Sequence, residues 1–138
     1  MNFVLDSSLA GAFVLKDEAT PATDAVLDSL GEGAKACAPA LWRWDVANLL
    51  LMAERRKRLT SADRHRHLTQ LKTLPVEMDE AAVDEAWNAT PLLAQKHKLS
   101  SYDAAYLELA IRRGLPLGTL DKELRKAAQQ EGVLLLPK

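Results

Sequence analysis

Residues 101–124, SYDAAYLELAIRRGLPLGTLDKEL, join two kinds of pattern. Apolar residues recur at helical spacing over 101–113, and Gly114 is a favoured stop residue for a helix. The run over 115–120 that follows is short and mostly apolar, as is typical of a buried strand. A helical pattern resumes directly afterwards. This stretch therefore predicts a helix–strand–helix unit of the kind that builds parallel sheets.

The same alternation extends along the whole chain. The predicted strands are 3–5, 35–38, 76–78, 115–120 and 133–136. The predicted helices are 9–15, 23–30, 41–58, 62–74 capped by Ser61, 80–98 with an interruption near Pro91, 101–113 and 122–131. Short apolar strands alternating with helices indicate an α/β fold, with a parallel sheet of about five strands covered on both faces. Because no repeat, low-complexity tract or linker interrupts the pattern, we expect a single domain over residues 1–138.

Composition narrows the class of protein. The formal net charge is -1, with 48% hydrophobic and 27% charged residues, which predicts a folded chain without general attraction to nucleic acid or membrane. The one cysteine, Cys37, cannot form an internal disulfide, which indicates a reducing compartment. The first residues lack the features of a signal peptide, and no segment approaches the ~18 apolar residues of a membrane span. We expect a cytoplasmic protein without membrane association.

Four aspartates lie where a carboxylate is either costly or well placed for chemistry. Asp6 and Asp121 follow predicted strands, and each could equally cap the helix after it. Asp103 lies in line with an apolar helical stripe, although it also fits a capping box with Ser100. Asp45 lies inside a predicted helix with apolar neighbours, where it caps nothing and where aspartate is a poor choice. Asp45 is therefore the hardest of the four to explain structurally.

The joint pattern is more informative than any single aspartate. Asp6 and Asp121 are predicted at the carboxyl edge of the sheet, where open parallel sheets bind ligands, and the other two near helix starts. Four carboxylates in one crevice would repel one another and raise one another's pKa values unless a divalent cation were bound. Ligation by oxygen alone favours Mg²⁺ or Mn²⁺, and such a centre suits phosphoryl chemistry.

Four stretches of this sequence carry a family resemblance, and they occur in the family's order over nearly the whole chain. The chain resembles the PIN domain family, specifically the VapC-type ribonuclease toxins of bacterial toxin–antitoxin pairs. The resemblance implies a PIN-like three-layer domain, flanked on both sides of its sheet by helices. It also implies a Mg²⁺-dependent endoribonuclease that leaves a 5′-phosphate without a covalent enzyme intermediate. The four stretches are FVLDSS at 3–8, PALWRWDVANLLL at 39–51, LSSYDAAYLELAIRRGLPLGTLDKEL at 99–124 and GVLLL at 132–136.

The resemblance also assigns roles to individual residues. The catalytic acids it implies are Asp6, Asp45, Asp103 and Asp121, of which Asp6, Asp103 and Asp121 would hold the metal; the supporting polar residues are Ser7, Asn48 and Thr119. The family usually has glutamate where this chain has Asp45, whose carboxylate is drawn back by roughly 1.5 Å, about one C–C bond. A water-bridged contact is therefore expected for Asp45. The partners implied are an RNA substrate, a VapB-type antitoxin and a second copy of the chain.

A dense basic stretch follows the helix that carries Asp45. It can guide an RNA backbone, since RNA is bound largely through its phosphates, or it can consist of exposed cations favourably placed at a helix C-terminus. The sequence leaves both interpretations open. The residues of this basic stretch are Arg55, Arg56, Lys57, Arg58, Arg64 and Arg66.

Two tryptophans on the same predicted helix have different expected environments. Trp42 shares the stripe of Leu49 and is predicted to lie in the core. Trp44 points elsewhere, and an exposed tryptophan would suggest an interface.

Other functions of α/β domains fit the sequence less well. A phosphatase of the haloacid dehalogenase type needs a second aspartate two residues after the first, where this chain has Ser8. Dinucleotide binding fails because no G-x-G-x-x-G follows the first strand. The alternative that stays open is a catalytically weak PIN-fold module that binds RNA or protein. The four retained acids argue against that alternative, and the aspartate at position 45 argues for it.

Overall fold

The computed structural model describes residues 2–138, which contain five strands and eight helices. The strands are β1 (Phe3–Leu5), β2 (Ala36–Pro39), β3 (Val76–Asp79), β4 (Leu117–Gly118) and β5 (Leu135–Leu136). The helices are α1 (Ser7–Val14), α2 (Pro21–Gly31), α3 (Leu41–Arg55), α4 (Ser61–Lys72), α5 (Ala82–Glu85), α6 (Ala89–His97), α7 (Ser101–Arg113) and α8 (Lys122–Gln130). All five strands are parallel, in the order β3-β2-β1-β4-β5. The predicted α/β fold with a parallel sheet flanked by helices is confirmed.

Helices cover both faces of the sheet. The helices contact one another in two groups, α1 to α4 and α5 to α8, and right-handed crossovers between parallel strands put these groups on opposite faces. On the first face α1 packs against α2 and α3, while on the second α7 lies across β1, β2 and β4. The central strand β1 is wholly buried, which explains why its sequence is continuously apolar.

Several element boundaries differ from the sequence-based prediction. The cap of α4 is Thr60, not Ser61: Thr60 and Asp63 form a reciprocal capping box. The interruption predicted near Pro91 falls before it, because α6 begins at Ala89 and proline is tolerated in a first helical turn. The strand predicted over 115–120 is reduced to β4, two residues long.

Gly118 allows β4 to approach its neighbours closely. A Cβ atom at this position would lie 2.8 Å from Leu9 Cδ2, 3.1 Å from Phe3 Cδ2 and 3.1 Å from the Val4 carbonyl oxygen. Only glycine fits without displacing buried groups. This close packing fixes the position of Thr119, the next residue, at the end of the strand.

The strand order reverses between β1 and β4. From β1 the chain builds outward through β2 to β3, then returns to the other side of β1 to form β4 and β5. The carboxyl ends of two strands at such a reversal border a crevice in which α/β proteins bind ligands. Asp6 follows β1, and Asp121 lies three residues after the end of β4. No helix within residues 2–138 is long and apolar enough to cross a lipid bilayer.

Candidate active site

Asp6 is nearly inaccessible to solvent and is held by three neighbours. Its carboxylate caps α1 by accepting from the Leu9 N–H at 2.9 Å, and Ser8 Oγ donates to it at 2.8 Å. Thr119 Oγ1 donates to the other oxygen. Burial raises the pKa of Asp6 to about 6; these hydrogen bonds oppose the shift, and the charge of Asp121 adds to it. With 5% of its surface exposed, Asp6 is a carboxylate kept at an energetic cost.

Thr119 and Ser8 join the two loops that border the crevice. Thr119 Oγ1 accepts from the Asp121 N–H at 3.0 Å while it donates to Asp6. Ser8 Oγ accepts from the Leu120 N–H at 2.9 Å. Asp121 in turn caps α8, its side chain accepting from the N–H of Leu124 at 2.8 Å. Asp6 and Asp121 therefore each cap a helix and also line the crevice, so one role does not exclude the other.

Asp103 lies in the first turn of α7. Ser100 is the cap of this helix, its Oγ accepting from the Asp103 N–H at 3.0 Å. The carboxylate is half-buried, and burial raises its pKa, with further increases from the charges of Asp121 and Asp45. Asp103 therefore lies within electrostatic reach of two other acids of the set.

Asp45 is tied to α7 by a buried tyrosine. The Tyr106 hydroxyl donates to Asp45 Oδ2 at 2.7 Å, and Tyr106 itself is 1% exposed. Burial, the bond to Asp45 and the charges of Asp45, Asp6 and Asp103 all raise the pKa of the Tyr106 hydroxyl. Tyr106 follows Asp103 by one helical turn, so its hydroxyl lies among three of the carboxylates. Sequence reasoning did not identify this residue.

The structure brings the four predicted acids to one edge of the sheet from four segments: the end of β1, α3, α7 and the loop after β4. No ion pair formed within residues 2–138 involves any of them. Their charges are thus left without a counter-cation from the described protein. Their catalytic roles remain a prediction.

The three residues predicted to support the acids, Ser7, Asn48 and Thr119, lie in different environments. Thr119 lies at the centre of the hydrogen bonds around Asp6, as described above. Ser7 is half-buried in the first turn of α1 and Asn48 is exposed on α3; neither side chain forms a hydrogen bond within the described residues. The serine hydroxyl that holds Asp6 belongs to Ser8. The sequence offered no way to choose between two adjacent serines, since the choice depends on how the first helical turn is oriented.

The donor set of this crevice suits a hard divalent cation. The groups are carboxylate and hydroxyl oxygens, which Mg²⁺ and Mn²⁺ prefer. In residues 2–138, however, no group of three or more acidic, histidine or cysteine side chains is arranged to hold an ion. Hydrogen bonds from Ser8 and Thr119 hold Asp6, and a hydrogen bond from Tyr106 holds Asp45. The chemistry of the donors therefore fits a hard divalent cation.

Much of the basic stretch is engaged elsewhere. Arg58 pairs with Asp17 and Glu18, while Arg64 and Arg66 pair with acids at 2.5 Å and 2.7 Å. Arg55 ends α3, about 15 Å along the helix axis from Asp45 at 1.5 Å per residue. Three of the six cations are thus paired with acids outside the crevice.

The two tryptophans of α3 occupy opposite environments. Trp42 is 7% exposed, which confirms the predicted core position, and its Nε1–H donates to the Asp6 carbonyl oxygen at 3.4 Å. This contact anchors α3 beside the end of β1. Trp44 is 71% exposed and projects away from the core, as expected for a residue available to a partner.

Comparisons with known proteins agree with this architecture. No curated protein matches the chain. Among solved structures, PAE2754 from Pyrobaculum aerophilum has a TM-score of 0.69 at 23% identity, covering 98% of this chain and 92% of its own. VapBC2 from Rickettsia felis, solved with a DNA fragment from its promoter, has a TM-score of 0.68 at 11% identity, covering 98% and 97%. FitAcB from Neisseria gonorrhoeae has a TM-score of 0.56 at 19% identity, covering 99% and 96%.

At these identities the likeness to solved structures shows the fold alone. Family membership rests on a separate finding, a match to the PIN domain model over residues 3–130. That match spans all the acids of the crevice and every element from β1 to α8. The chain belongs to the PIN domain family.

Proposed function

We propose that this chain is a metal-dependent endoribonuclease, and that it is the VapC-type toxin of a type II toxin–antitoxin pair. PIN domains are generally nucleases, which supports hydrolysis of a nucleic acid. The observation that carries the proposal is the gathering of Asp6, Asp45, Asp103 and Asp121 at the strand-order reversal without a cationic partner within residues 2–138. Such an unneutralised cluster is costly unless it binds a cation as part of its function.

In this proposal Asp6, Asp103 and Asp121 hold the cation, Mg²⁺ or Mn²⁺. When bound, a divalent cation stabilises negative charge on a phosphodiester and activates water for attack. Asp121 keeps one oxygen on the Leu124 N–H as a cap, which fixes the carboxylate at the end of α8. Ser8 and Thr119 orient Asp6 through its two oxygens. The protein thus supplies carboxylates whose directions are set before the cation binds.

Asp45 has a different role in this proposal. Tyr106 holds its Oδ2, leaving Oδ1 to accept a hydrogen bond from water at the edge of the crevice. The side chain is one methylene shorter than the glutamate usual in the family, so contact with the cation through a water molecule suits its reach. Asp45 is accordingly a positioning residue.

The direct test is cleavage of end-labelled single-stranded RNA by the purified chain in Mg²⁺, in Mn²⁺ and in EDTA. We expect cleavage with either cation, none in EDTA, and 5′-phosphate ends on the products. The control is Asp103→Asn, which removes one charge from the set with little change in shape. Cleavage that persists in EDTA, or that is unchanged in Asp103→Asn, would contradict the proposal.

Substitutions at position 45 test its positioning role. We expect Asp45→Glu to retain activity, because it keeps the charge at a half-buried position, and Asp45→Ala to lose about tenfold to a hundredfold. Asp45→Ala also leaves the buried Tyr106 hydroxyl without its acceptor, at a stability cost of about 1–3 kcal/mol.

Tyr106→Phe separates the loss of activity in Asp45→Ala from its loss of stability. It frees Asp45 from its donor but leaves no orphaned hydroxyl, so a loss of only a few-fold is expected. Initial rates of RNA cleavage and melting temperatures of all three variants provide the measurements. A fully active Asp45→Ala enzyme would show that Asp45 is dispensable.

We also propose a VapB-type antitoxin, a second copy of the chain and a cytoplasmic setting. Support for the pairing comes from the resemblance to VapC-type toxins and from the fold shared with VapBC2. The exposed Trp44 is a suitable interface residue. Expression of the chain alone should arrest growth, and co-expression of the small protein encoded beside it should restore growth. Failure of the chain to arrest growth would argue against the toxin assignment.

One observation favours a second function, a catalytically weak module that binds RNA or protein. The Asp45 carboxylate is already engaged by Tyr106, and no described set of three acids is arranged around an ion position. Titration with Mn²⁺ followed by thermal unfolding discriminates the two functions, since a ligand of the folded state must raise its stability. The nuclease proposal predicts a rise in melting temperature that Asp6→Ala abolishes, whereas the weak module predicts none.

A further inference from the structure

We propose that a lysine-lined groove between α6 and α8 holds the phosphate backbone of the RNA beside the acidic crevice. This inference rests on the proposed ribonuclease function and names the surface that carries the substrate. The groove has a volume of about 250 Å³. Its lining residues are Lys96, His97, Lys98, Glu123, Lys126, Ala127 and Gln130.

Lys98 and Lys126 are the cations of the groove that are available to a ligand. Both are exposed, and neither forms an ion pair with any residue that the structure describes. Lys96 is paired with Glu131 at 2.6 Å, so its charge is already partly compensated. Glu123 is the one acidic side chain of the lining, which leaves an excess of positive charge.

Lys98 is the C-cap of α6, where a cation also complements the helix dipole, but the position of Lys126 has no such explanation. Lys126 lies in the middle of α8, away from the C-terminal turn where cations are favoured. The neighbouring Arg125, by contrast, is used structurally, since its guanidinium donates to the Thr119 and Pro137 carbonyl oxygens at 2.9 Å. These two adjacent cations of α8 thus have separate uses, and of the two it is Lys126 that lines the groove.

Each of the two lysines lies five residues along the chain from an acid of the crevice, Lys98 before Asp103 and Lys126 after Asp121. Lys98 adopts a left-handed backbone conformation, with φ of 55°, and turns the chain from α6 into Ser100, the cap of α7. Asp103 follows in the first turn of α7. On the other wall, Lys126 lies five residues beyond Asp121, about 7.5 Å along the helix axis. In this proposal, an RNA strand with its scissile phosphate at the acids has a neighbouring phosphate between the two lysines.

Charge complementarity favours a nucleic-acid backbone as the occupant. The crevice repels a polyanion until a cation binds, whereas the lysines attract one at all times. The chain's net charge of -1 supplies no general attraction, so binding has to come from a local patch. Each phosphate contact to a single strand contributes about 0.7 to the slope of log affinity against log salt concentration.

The test measures that slope by fluorescence anisotropy on a labelled single-stranded RNA of about 12 nucleotides, in EDTA so that cleavage does not intervene. Lys98→Gln/Lys126→Gln removes both charges and keeps a flexible polar side chain at each position. We expect weaker binding and a slope shallower by about 1.4, two phosphate contacts. Lys98→Arg/Lys126→Arg should restore the wild-type slope, because both charges return.

The matched control is Lys16→Gln/Lys35→Gln. These exposed lysines lie after α1 and before β2, at the opposite edge of the sheet, and the substitution makes the same change in net charge. The slope should stay at its wild-type value. Any of three results would overturn the proposal. They are an unaltered slope in Lys98→Gln/Lys126→Gln, equal losses of RNA affinity in the two double variants, and no RNA binding by the wild-type chain. Cleavage of RNA by the wild-type chain in Mn²⁺ tests the ribonuclease function separately. A failure of the groove proposal can therefore be distinguished from a failure of the proposed function.

Discussion

Asp6→Asn is expected to make the metal-free protein more stable and, at the same time, to remove its activity. Burial raises the pKa of Asp6 from 3.8 to about 6, so the folded state tolerates the charged form poorly at neutral pH. This increase in pKa corresponds to a loss of about 3 kcal/mol in folding stability when Asp6 is charged. Removing the charge should therefore raise the melting temperature by about 10 °C. The Asn side-chain oxygen can still cap α1, and both hydroxyls that touch Asp6 can rotate to accept.

The pH dependence of stability gives this prediction a second readout. Because its folded-state pKa lies above the unfolded value, Asp6 binds more protons in the folded state between pH 3.8 and about 6. Its contribution to stability is therefore fully present below pH 3.8 and is lost as the pH rises through about 6. In EDTA, the stability difference between Asp6→Asn and wild type should grow across this window and level off above it.

The activity of Asp6→Asn should fall by about a thousandfold, since the loss of a metal carboxylate removes several kcal/mol of transition-state stabilisation. Mn²⁺ should also no longer raise its melting temperature. Asp63→Asn is the control, because Asp63 is a partly exposed surface residue whose pKa is lowered to about 2 by its hydrogen bonds to Thr60 and then to Arg66. Asp63→Asn should be less stable than wild type at neutral pH, whereas Asp6→Asn should be more stable. A destabilised Asp6→Asn protein in EDTA would contradict the prediction.

The order of elements could be predicted from the sequence because strands and helices have different hydrophobic patterns. The buried strand at Phe3–Leu5 and the helix at Ser101–Arg113 were both recognisable from pattern and stop signals. The length of β4 was not, because Leu115 and Leu120 are apolar for packing reasons and lie outside the strand pairing. Local sequence does not distinguish an apolar residue in a strand from one in the loop beside it.

The site was partly predictable for a different reason. Asp45 was conspicuous because aspartate is a poor residue for a helix interior. Asp6 and Asp121 were ambiguous between capping and chemistry, and the structure shows that each carboxylate caps a helix at the crevice. Tyr106 was missed because a tyrosine on an apolar stripe is ordinary core, and only the tertiary contact with Asp45 reveals its role. The pattern of residues around one position does not show which distant segment will contact it in the fold.

A buried ion-pair network at the end of β3 carries the other large expected effect. Asp79 is 2% exposed and accepts from Arg112 and Arg113, the latter at 2.7 Å. Arg112 Nε also donates to Glu108, itself 4% exposed, at 2.8 Å. Burial acts to raise the pKa of Asp79, but the hydrogen bonds and charges of the two arginines outweigh it and lower the pKa. The network joins the C-terminal end of α7, the helix that carries Asp103, to the sheet.

Arg112→Met is expected to reduce the free energy of unfolding by about 3–5 kcal/mol, because it leaves the Glu108 carboxylate buried without a cation and Asp79 with one arginine. Urea unfolding at neutral pH measures the loss. Arg113→Met is the control, since Asp79 then keeps Arg112 and Glu77 is 69% exposed, so the loss should be smaller. Adding Glu108→Leu and Asp79→Leu to Arg112→Met should recover most of the stability, as apolar replacement of a buried ion pair often does. Equal losses in the two single arginine variants would show that burial of Glu108 does not set the cost.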